Sequence, residues 1–284
     1  MAPGLGEHDW RYMLGAETLP AVLYLVAAGY IPESPRWLAI NRGKVEEARA
    51  ILRQTDFANA DAILAAISVE QPRIPLSEFL SGRFARPIAL AFLIALFNQL
   101  SGINAIIYFA PRIFEMAAMG QQGALLAGVG IGVTNLVFTF VGVGLIDRMG
   151  RRALMLAGSV GYLVSLGAVA WGFATQHYAA VPVFIFLFIA AHAIGQGTVI
   201  WVYISEIFPN AARARGQALG SATHWVLAAA LTLIMPVVLS SFAPATIFLA
   251  FFAMMVLQLL FVVFMMVETR GRSLESVAHD LERN

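Results

Sequence analysis

Asn98-Gln99-Leu100-Ser101-Gly102-Ile103-Asn104-Ala105-Ile106-Ile107-Tyr108 stands inside residues 87–114, a stretch otherwise apolar enough to cross a bilayer. The run carries three amides, a hydroxyl and a phenol, and an amide that faced lipid unsatisfied would cost several kcal/mol. These side chains are therefore expected to face protein or water. Amides donate and accept at once, which suits the hydroxyls of a neutral polyhydroxy ligand. It also suits bonds between neighbouring helices, so the run alone leaves both readings open. Asn104 and Tyr108, at i and i+4, share a helix face, whereas on a straight helix of about 3.6 residues per turn Gln99 points about 140° away from Asn104. Ser101-Gly102 between them is expected to break or bend the helix and turn both amides toward one cavity.

Outward from this run the chain stays apolar. Of its 284 residues 60% are hydrophobic and 12% charged, and its mean hydropathy is +0.76. That balance could not clothe a soluble globule of this size, so the sequence predicts a polytopic membrane protein. Stretches near the roughly 20 residues needed to span hydrocarbon fall at about 12–31, 87–114, 123–146, 153–175, 181–204, 216–241 and 246–267. All are expected to be helices, because no two-residue alternation appears and a spanning backbone must satisfy itself internally. The first follows an acidic lead and precedes no small-residue cleavage pattern, so it reads as a retained span and not a signal peptide. With no cysteine and a net charge of +1, disulfides, thiolate metal sites and a nucleic-acid partner are not expected.

The charges between the stretches alternate. Arg36, Arg42, Lys44, Arg49, Arg53, Arg73, Arg83 and Arg86 follow the first stretch, Arg148, Arg151 and Arg152 the third, Arg213 and Arg215 the fifth, and Arg270, Arg272 and Arg283 the seventh. Residues 117–122, 176–180 and 242–245 carry no Lys or Arg. The positive-inside rule then places every basic loop and the C-terminus in the cytoplasm of a multi-pass protein, the cell (inner) membrane being the expected location. Within residues 32–86, Val45, Ala48, Ile51 and Leu52 repeat at helical spacing opposite Glu46, Glu47, Arg49 and Arg53, a second helix fits 61–67, and Pro72 and Pro75 break the chain before 76–80. This part reads as a small cytoplasmic helical insert. The expected organisation is a lead and first helix at 1–31, the insert at 32–86, a six-helix bundle at 87–267 and a cytoplasmic tail at 268–284.

Four clusters set acids beside arginines at helix ends: Pro32-Glu33-Ser34-Pro35-Arg36, Asp147-Arg148-Met149-Gly150-Arg151-Arg152, Ser205-Glu206-Ile207-Phe208-Pro209 with Arg213, and Glu268-Thr269-Arg270-Gly271-Arg272-Ser273. Each alone is what the positive-inside rule produces. Together they suit a latch of ion pairs that forms in one state and breaks in another.

With these residues in view, the chain resembles the sugar porters of the major facilitator superfamily, the family of glucose and xylose transporters. Residues 32–36 match its Pro-Glu-Ser-Pro-Arg signature letter for letter, and 98–109 match Gln-Gln-x-Ser-Gly-x-Asn-x-x-x-Tyr-Tyr with two substitutions, Asn98 and Phe109. Residues 147–152 match Asp/Glu-Arg-x-Gly-Arg-Arg, Trp201 with 205–209 matches a Trp followed by Ser-Glu-Ile-Phe-Pro, and Val267-Glu268-Thr269-Arg270-Gly271 stands for Pro-Glu-Thr-Lys-Gly. The resemblance covers almost the whole chain. It implies the C-terminal six-helix half of the major facilitator fold, preceded by one helix and the cytoplasmic insert. On this reading the family's first five helices are absent, as in a fragment or truncated product.

The resemblance also implies a sugar site at Asn98, Gln99, Asn104 and Tyr108 on the family's seventh helix, Asn135 on the eighth, and Trp201 and Trp225. Amides and a phenol bond hydroxyls while indoles stack on the C–H faces of a pyranose. His224 occupies a place where the family often has Asn or Gln, and reads either as a sugar contact or as an interhelical hydrogen bond. Gly195-Gln196-Gly197-Thr198 replaces the frequent Gly-Pro ahead of Trp201, adding polar groups that could reach the sugar. His192, Trp171, Trp37 and Trp10 read as packing or interface residues. Glu33, Arg36, Asp147, Arg148, Arg151, Arg152, Glu206, Arg213 and Glu268 are the expected cytoplasmic gating ion pairs, with partners on neighbouring helices and, for Arg151, Arg152, Glu206 and Arg213, on the missing half.

The expected function is therefore transport of a hexose or pentose by alternating access, with no enzymatic activity, cofactor or metal. The expected partners are the monosaccharide, the lipid bilayer, the missing N-terminal half and, as an open question, a proton. Two alternatives remain: transport of another polar solute such as a polyol or quinate-like acid, and a seven-helix receptor or scaffold.

Overall fold

The computed structural model describes residues 9–55, 59–68, 74–272, 276–277 and 280–281. Pro72, Arg73, Ser273, Arg283 and the side chain of Trp10 lie outside the described set. Among the described residues the chain is helical and contains no strand. It divides into two units, Met1–Pro72 and Arg73–Asn284.

The first unit holds α1 (Asp9–Ala16), α2 (Thr18–Ala28), α3 (Pro35–Asn41), α4 (Val45–Thr55) and α5 (Ala60–Ser68). The stretch expected as a helix over 12–31 is carried by α1 and α2, which meet at Glu17, a residue with helical dihedrals (φ −66°, ψ −21°). Ser34 precedes α3 with extended backbone and accepts the Trp37 N–H at 3.5 Å, while Pro35 opens the helix where its missing N–H is harmless. The apolar faces read from the sequence meet as expected: Leu38, Ala48, Leu52, Ala60, Leu64 and Ile67 form one small core. Opposite that core, Arg49 pairs with Glu46 at 2.7 Å and with Asp61 at 3.0 Å.

The second unit begins with α6 (Leu76–Phe79), followed by α7 (Ala85–Leu100), α8 (Ile103–Tyr108), α9 (Ala110–Met116), α10 (Gln121–Met149), α11 (Arg151–Ala174), α12 (Val181–His192), α13 (Thr198–Glu206), α14 (Asn210–Ser241) and α15 (Pro244–Phe264). These make six helical spans long and apolar enough to cross a membrane, one fewer than the sequence reading counted. The stretch at 12–31, carried by α1 and α2, is not among the six. Helix α11 packs on α12 and α15, and α7 packs on α14. The centre is filled by buried residues such as Leu90, Ile94, Tyr162, Phe188, Tyr203 and Met255.

Two irregularities shape this unit. The first is the expected break after α7. Gly102 has φ +83°, and a Cβ there would stand 2.6 Å from ring carbons of Phe251, so this position needs glycine for both its backbone and its space. Ser101 serves the break by donating its hydroxyl to the Asn98 carbonyl at 2.6 Å and accepting the Ile103 N–H at 3.3 Å. The second is a π-turn over Ala193–Gly197, which joins α12 to α13 within one apolar span. Thr198 closes that turn by donating its hydroxyl to the Ala193 carbonyl at 2.6 Å. Such turns mark the insertion of one extra residue and often accompany a functional site.

Candidate functional site

The break at Ser101-Gly102 sets Gln99 beside Asn104. Asn104, at the start of α8, donates its Nδ2 to the Gln99 Oε1 at 2.8 Å across the turn. The Gln99 Nε2 donates to the Asn98 Oδ1 at 3.0 Å and lies 3.1 and 3.2 Å from the two ring nitrogens of His224 on α14. A neutral imidazole has one nitrogen free to accept, so the fully buried Gln99 amide is satisfied at both ends. His224 in turn lies 5.1 Å from the ring of Trp201 and 5.0 Å, edge-on, from that of Trp225. The result is a compact group of amides, one imidazole and two indoles, with no charged side chain in it. Neutral hydroxyl groups are the chemistry it can match.

The expected residues do not all join this group. Asn98 is 2% exposed, and behind Gln99 its Nδ2 donates to the Gln196 Oε1 at 3.3 Å. Tyr108 is 55% exposed, and Asn135 lies partly exposed on α10. No described hydrogen bond ties either to the cluster. His192 lies 2.6 Å from the Tyr162 hydroxyl. Gln258 and Ser159 are polar, fully buried and connected to Gln196, yet the sequence reading did not single them out. Gln258 carried a usable signal, because it is the only amide in α15 and an amide in so apolar a span has to find a partner.

A second group forms at the Arg-rich end of the bundle. Arg151 holds Glu206 with two parallel bonds, Nε to Oε2 at 2.9 Å and Nη2 to Oε1 at 2.7 Å, and its Nη1 reaches the Asp147 Oδ1 at 3.0 Å and the Ile146 carbonyl at 3.1 Å. Thr269 adds its hydroxyl to the Glu206 Oε2 at 2.6 Å. The guanidinium of Arg152 donates to the carbonyls of Val263 at 2.7 Å and Val262 at 3.4 Å, near the C-terminal end of α15, where a cation is favoured. Glu268 accepts the backbone N–H groups of Arg151 and Arg152, at 2.9 and 3.0 Å, and of Thr269 and Arg270, both at 3.0 Å. Burial pushes its carboxyl upward, but these four donors, led by Arg270, outweigh burial and hold it below the ordinary carboxylate range.

These pairs run within the chain. The partners seen join the ends of α10, α11, α13 and α15, neighbouring helices of this bundle, to one another. Arg148 is exposed in the last turn of α10 and Arg213 lies in the first turn of α14. Glu33 and Arg36 flank Ser34 at the start of α3 in the first unit.

A helical membrane bundle with a broken helix beside an amide cluster defines the class, and residues 3–281 match the family described as sugar (and other) transporter. The chain belongs to that family and is a multi-pass membrane protein of the major facilitator fold.

Among its relatives, the probable metabolite transport protein CsbC of Bacillus subtilis is 36% identical over 96% of this chain and 61% of its own length. The arabinose-proton symporter of the same organism is 33% identical over 96% of this chain and 60% of its own length. The D-xylose-proton symporter of Escherichia coli is 35% identical over 79% of this chain and 46% of its own. The solved structure of the proton:xylose symporter XylE bound to 6-bromo-6-deoxy-D-glucose superimposes with a TM-score of 0.79 at 29% identity, over 98% of this chain and 61% of that one. The chain thus spans about three fifths of the length of the first two relatives.

Proposed function

We propose that this chain forms the substrate-bearing half of a monosaccharide transporter that works by alternating access. The observation that carries the reading is the uncharged cluster of Gln99, Asn104 and His224 between Trp201 and Trp225. It offers hydrogen-bond donors and acceptors beside aromatic faces, which is what a pyranose requires. Helices α10 and α14 leave most of their apolar residues uncovered, and Asn135, His224 and Trp225 stand on them. A second helical half set against those faces would complete the cavity. The Arg-rich end then lies in the cytoplasm by the positive-inside rule, and the intrachain ion pairs stiffen that end so that the half moves as one body. Relatives named as proton symporters extend the proposal to proton coupling in the whole protein.

The test is uptake of labelled aldohexoses and aldopentoses by the complete gene product in liposomes, with and without a proton gradient. Saturable, stereospecific flux is expected, accelerated by the gradient. Sugar binding without flux would favour a receptor, and neither binding nor flux would remove the sugar reading.

A further inference from the structure

Behind the amide cluster a line of buried side chains crosses the bundle. Asn98 on α7, Gln196 in the π-turn, Gln258 on α15 and Ser159 on α11 are each at most 2% exposed. The bonds run in one sense: Asn104 Nδ2 to Gln99 Oε1 at 2.8 Å, Gln99 Nε2 to Asn98 Oδ1 at 3.0 Å, Asn98 Nδ2 to Gln196 Oε1 at 3.3 Å, Gln196 Nε2 to Gln258 Oε1 at 3.0 Å, and Gln258 Nε2 to Ser159 Oγ at 2.9 Å. The Ser159 hydroxyl ends the line by donating to the Met155 carbonyl at 2.7 Å.

The terminus fixes the sense of every bond before it. A backbone carbonyl can only accept, so Ser159 donates to it and has only lone pairs to offer Gln258. Gln258 must therefore turn its NH2 toward Ser159 and its oxygen toward Gln196. The same constraint passes to Gln196, Asn98 and Gln99 in turn, and reversing any one amide would set oxygen against oxygen or NH2 against NH2. The last member, Asn104, must give its NH2 to Gln99, which leaves its carbonyl oxygen as the end offered to a ligand.

We propose that Gln196, Gln258 and Ser159 are positioning residues that set the polarity of the sugar site, so that Asn104 meets the ligand as an acceptor and selects a hydroxyl that donates. This rests on the sugar-site reading above. A hydroxyl can donate, while fluorine in its place cannot, so the site should distinguish the two at the carbon that faces Asn104. Once the line is cut, the Asn104 amide is free to turn its NH2 outward and donate to fluorine.

The experiment measures binding of aldohexoses and aldopentoses, including D-glucose and D-xylose, and of their mono-deoxyfluoro derivatives, to the complete gene product in lipid nanodiscs. In the unaltered protein, fluorine at one carbon or more is expected to weaken binding about ten-fold, the loss of one hydrogen bond to a buried acceptor. Ser159→Ala, a small change remote from the ligand, and Gln196→Met, which keeps length and removes polarity, should bring that ratio to near one while the parent sugar still binds. A purely structural role would weaken parent and fluorinated sugar alike and leave the ratio unchanged. An unchanged ratio in Ser159→Ala, or an unaltered protein that tolerates fluorine at every carbon, overturns the inference while the sugar-site reading stands. No sugar binding by the unaltered protein removes both.

Discussion

Glu268 caps the helix that Arg151 begins, its Oε1 standing 2.9 Å from the Arg151 N–H and its Oε2 3.0 Å from the N–H of Arg152. A Cβ on Gly150, whose φ is +93°, would stand 2.6 Å from the same carboxylate, so the close approach depends on that glycine. Removing the carboxylate in Glu268→Ala should destabilise the bundle by about 1–2 kcal/mol, the usual cost of a lost N-cap. The charge also imposes a pH dependence. Because the folded-state carboxyl is held low, its contribution is fully present above the unfolded carboxylate pKa of roughly 4.3 and is lost as the pH falls through the lower folded value. Thermal unfolding in detergent should therefore fall more steeply below about pH 4 for the unaltered protein than for Glu268→Gln. Parallel curves would show that the cap is not ionised in the way described.

Arg151 makes its two bonds to Glu206 while only 10% of its side chain is exposed, against 21% for Glu206. Arg151→Ala would leave that carboxylate largely buried with Thr269 as its remaining partner, a loss of about 3 kcal/mol. Arg151→Lys should recover part of this but not all, since an ammonium cannot reproduce the parallel pair. Equal unfolding midpoints for Arg151→Lys and the unaltered protein would show that charge alone suffices.

Gln99 and Asn104 satisfy one another without ligand, so each truncation leaves the other partner unpaired. Gln99→Ala and Asn104→Ala should each weaken sugar binding by about 1–3 kcal/mol. Uptake of labelled glucose and xylose unchanged in both variants would place the site elsewhere.

Gly102 combines a positive φ with contact to Phe251. Gly102→Ala should destabilise the fold by about 1–3 kcal/mol through backbone strain and overpacking. Adding Phe251→Leu should relieve the contact and recover only part of the loss. Full recovery would mean that the backbone at residue 102 tolerates a side chain.

If the cavity needs a second half against α10 and α14, the 284-residue chain reconstituted alone should show no saturable sugar uptake. Stereospecific flux from it would require two copies facing each other.

Much of this architecture is legible in the sequence because the bilayer imposes coarse rules. Long apolar runs with basic residues at alternate ends located the six spans, and Ser101-Gly102 announced the break that brings Gln99 to Asn104. The first apolar stretch is helical as well, as α1 and α2 on either side of Glu17. The ion-pair clusters were visible, but acid and base beside each other in sequence do not say which helix supplies the partner. Arg151 finds Glu206, 55 residues away, by the way α11 and α13 converge. Gln258 and Ser159 stayed hidden for the same reason, since one amide among apolar residues gives its need for a partner and not the partner's identity.

The π-turn at Ala193–Gly197 sets the phase of everything that follows it in the span. With that single extra residue deleted, a continuous α-helix would rotate α13 by about 100°, carrying Trp201 away from His224 at one end and Glu206 away from Arg151 at the other. The aromatic wall of the site and the clasp at the Arg-rich end are thus kept in register by one spliced-in residue, and a one-residue deletion there would disable both without touching either.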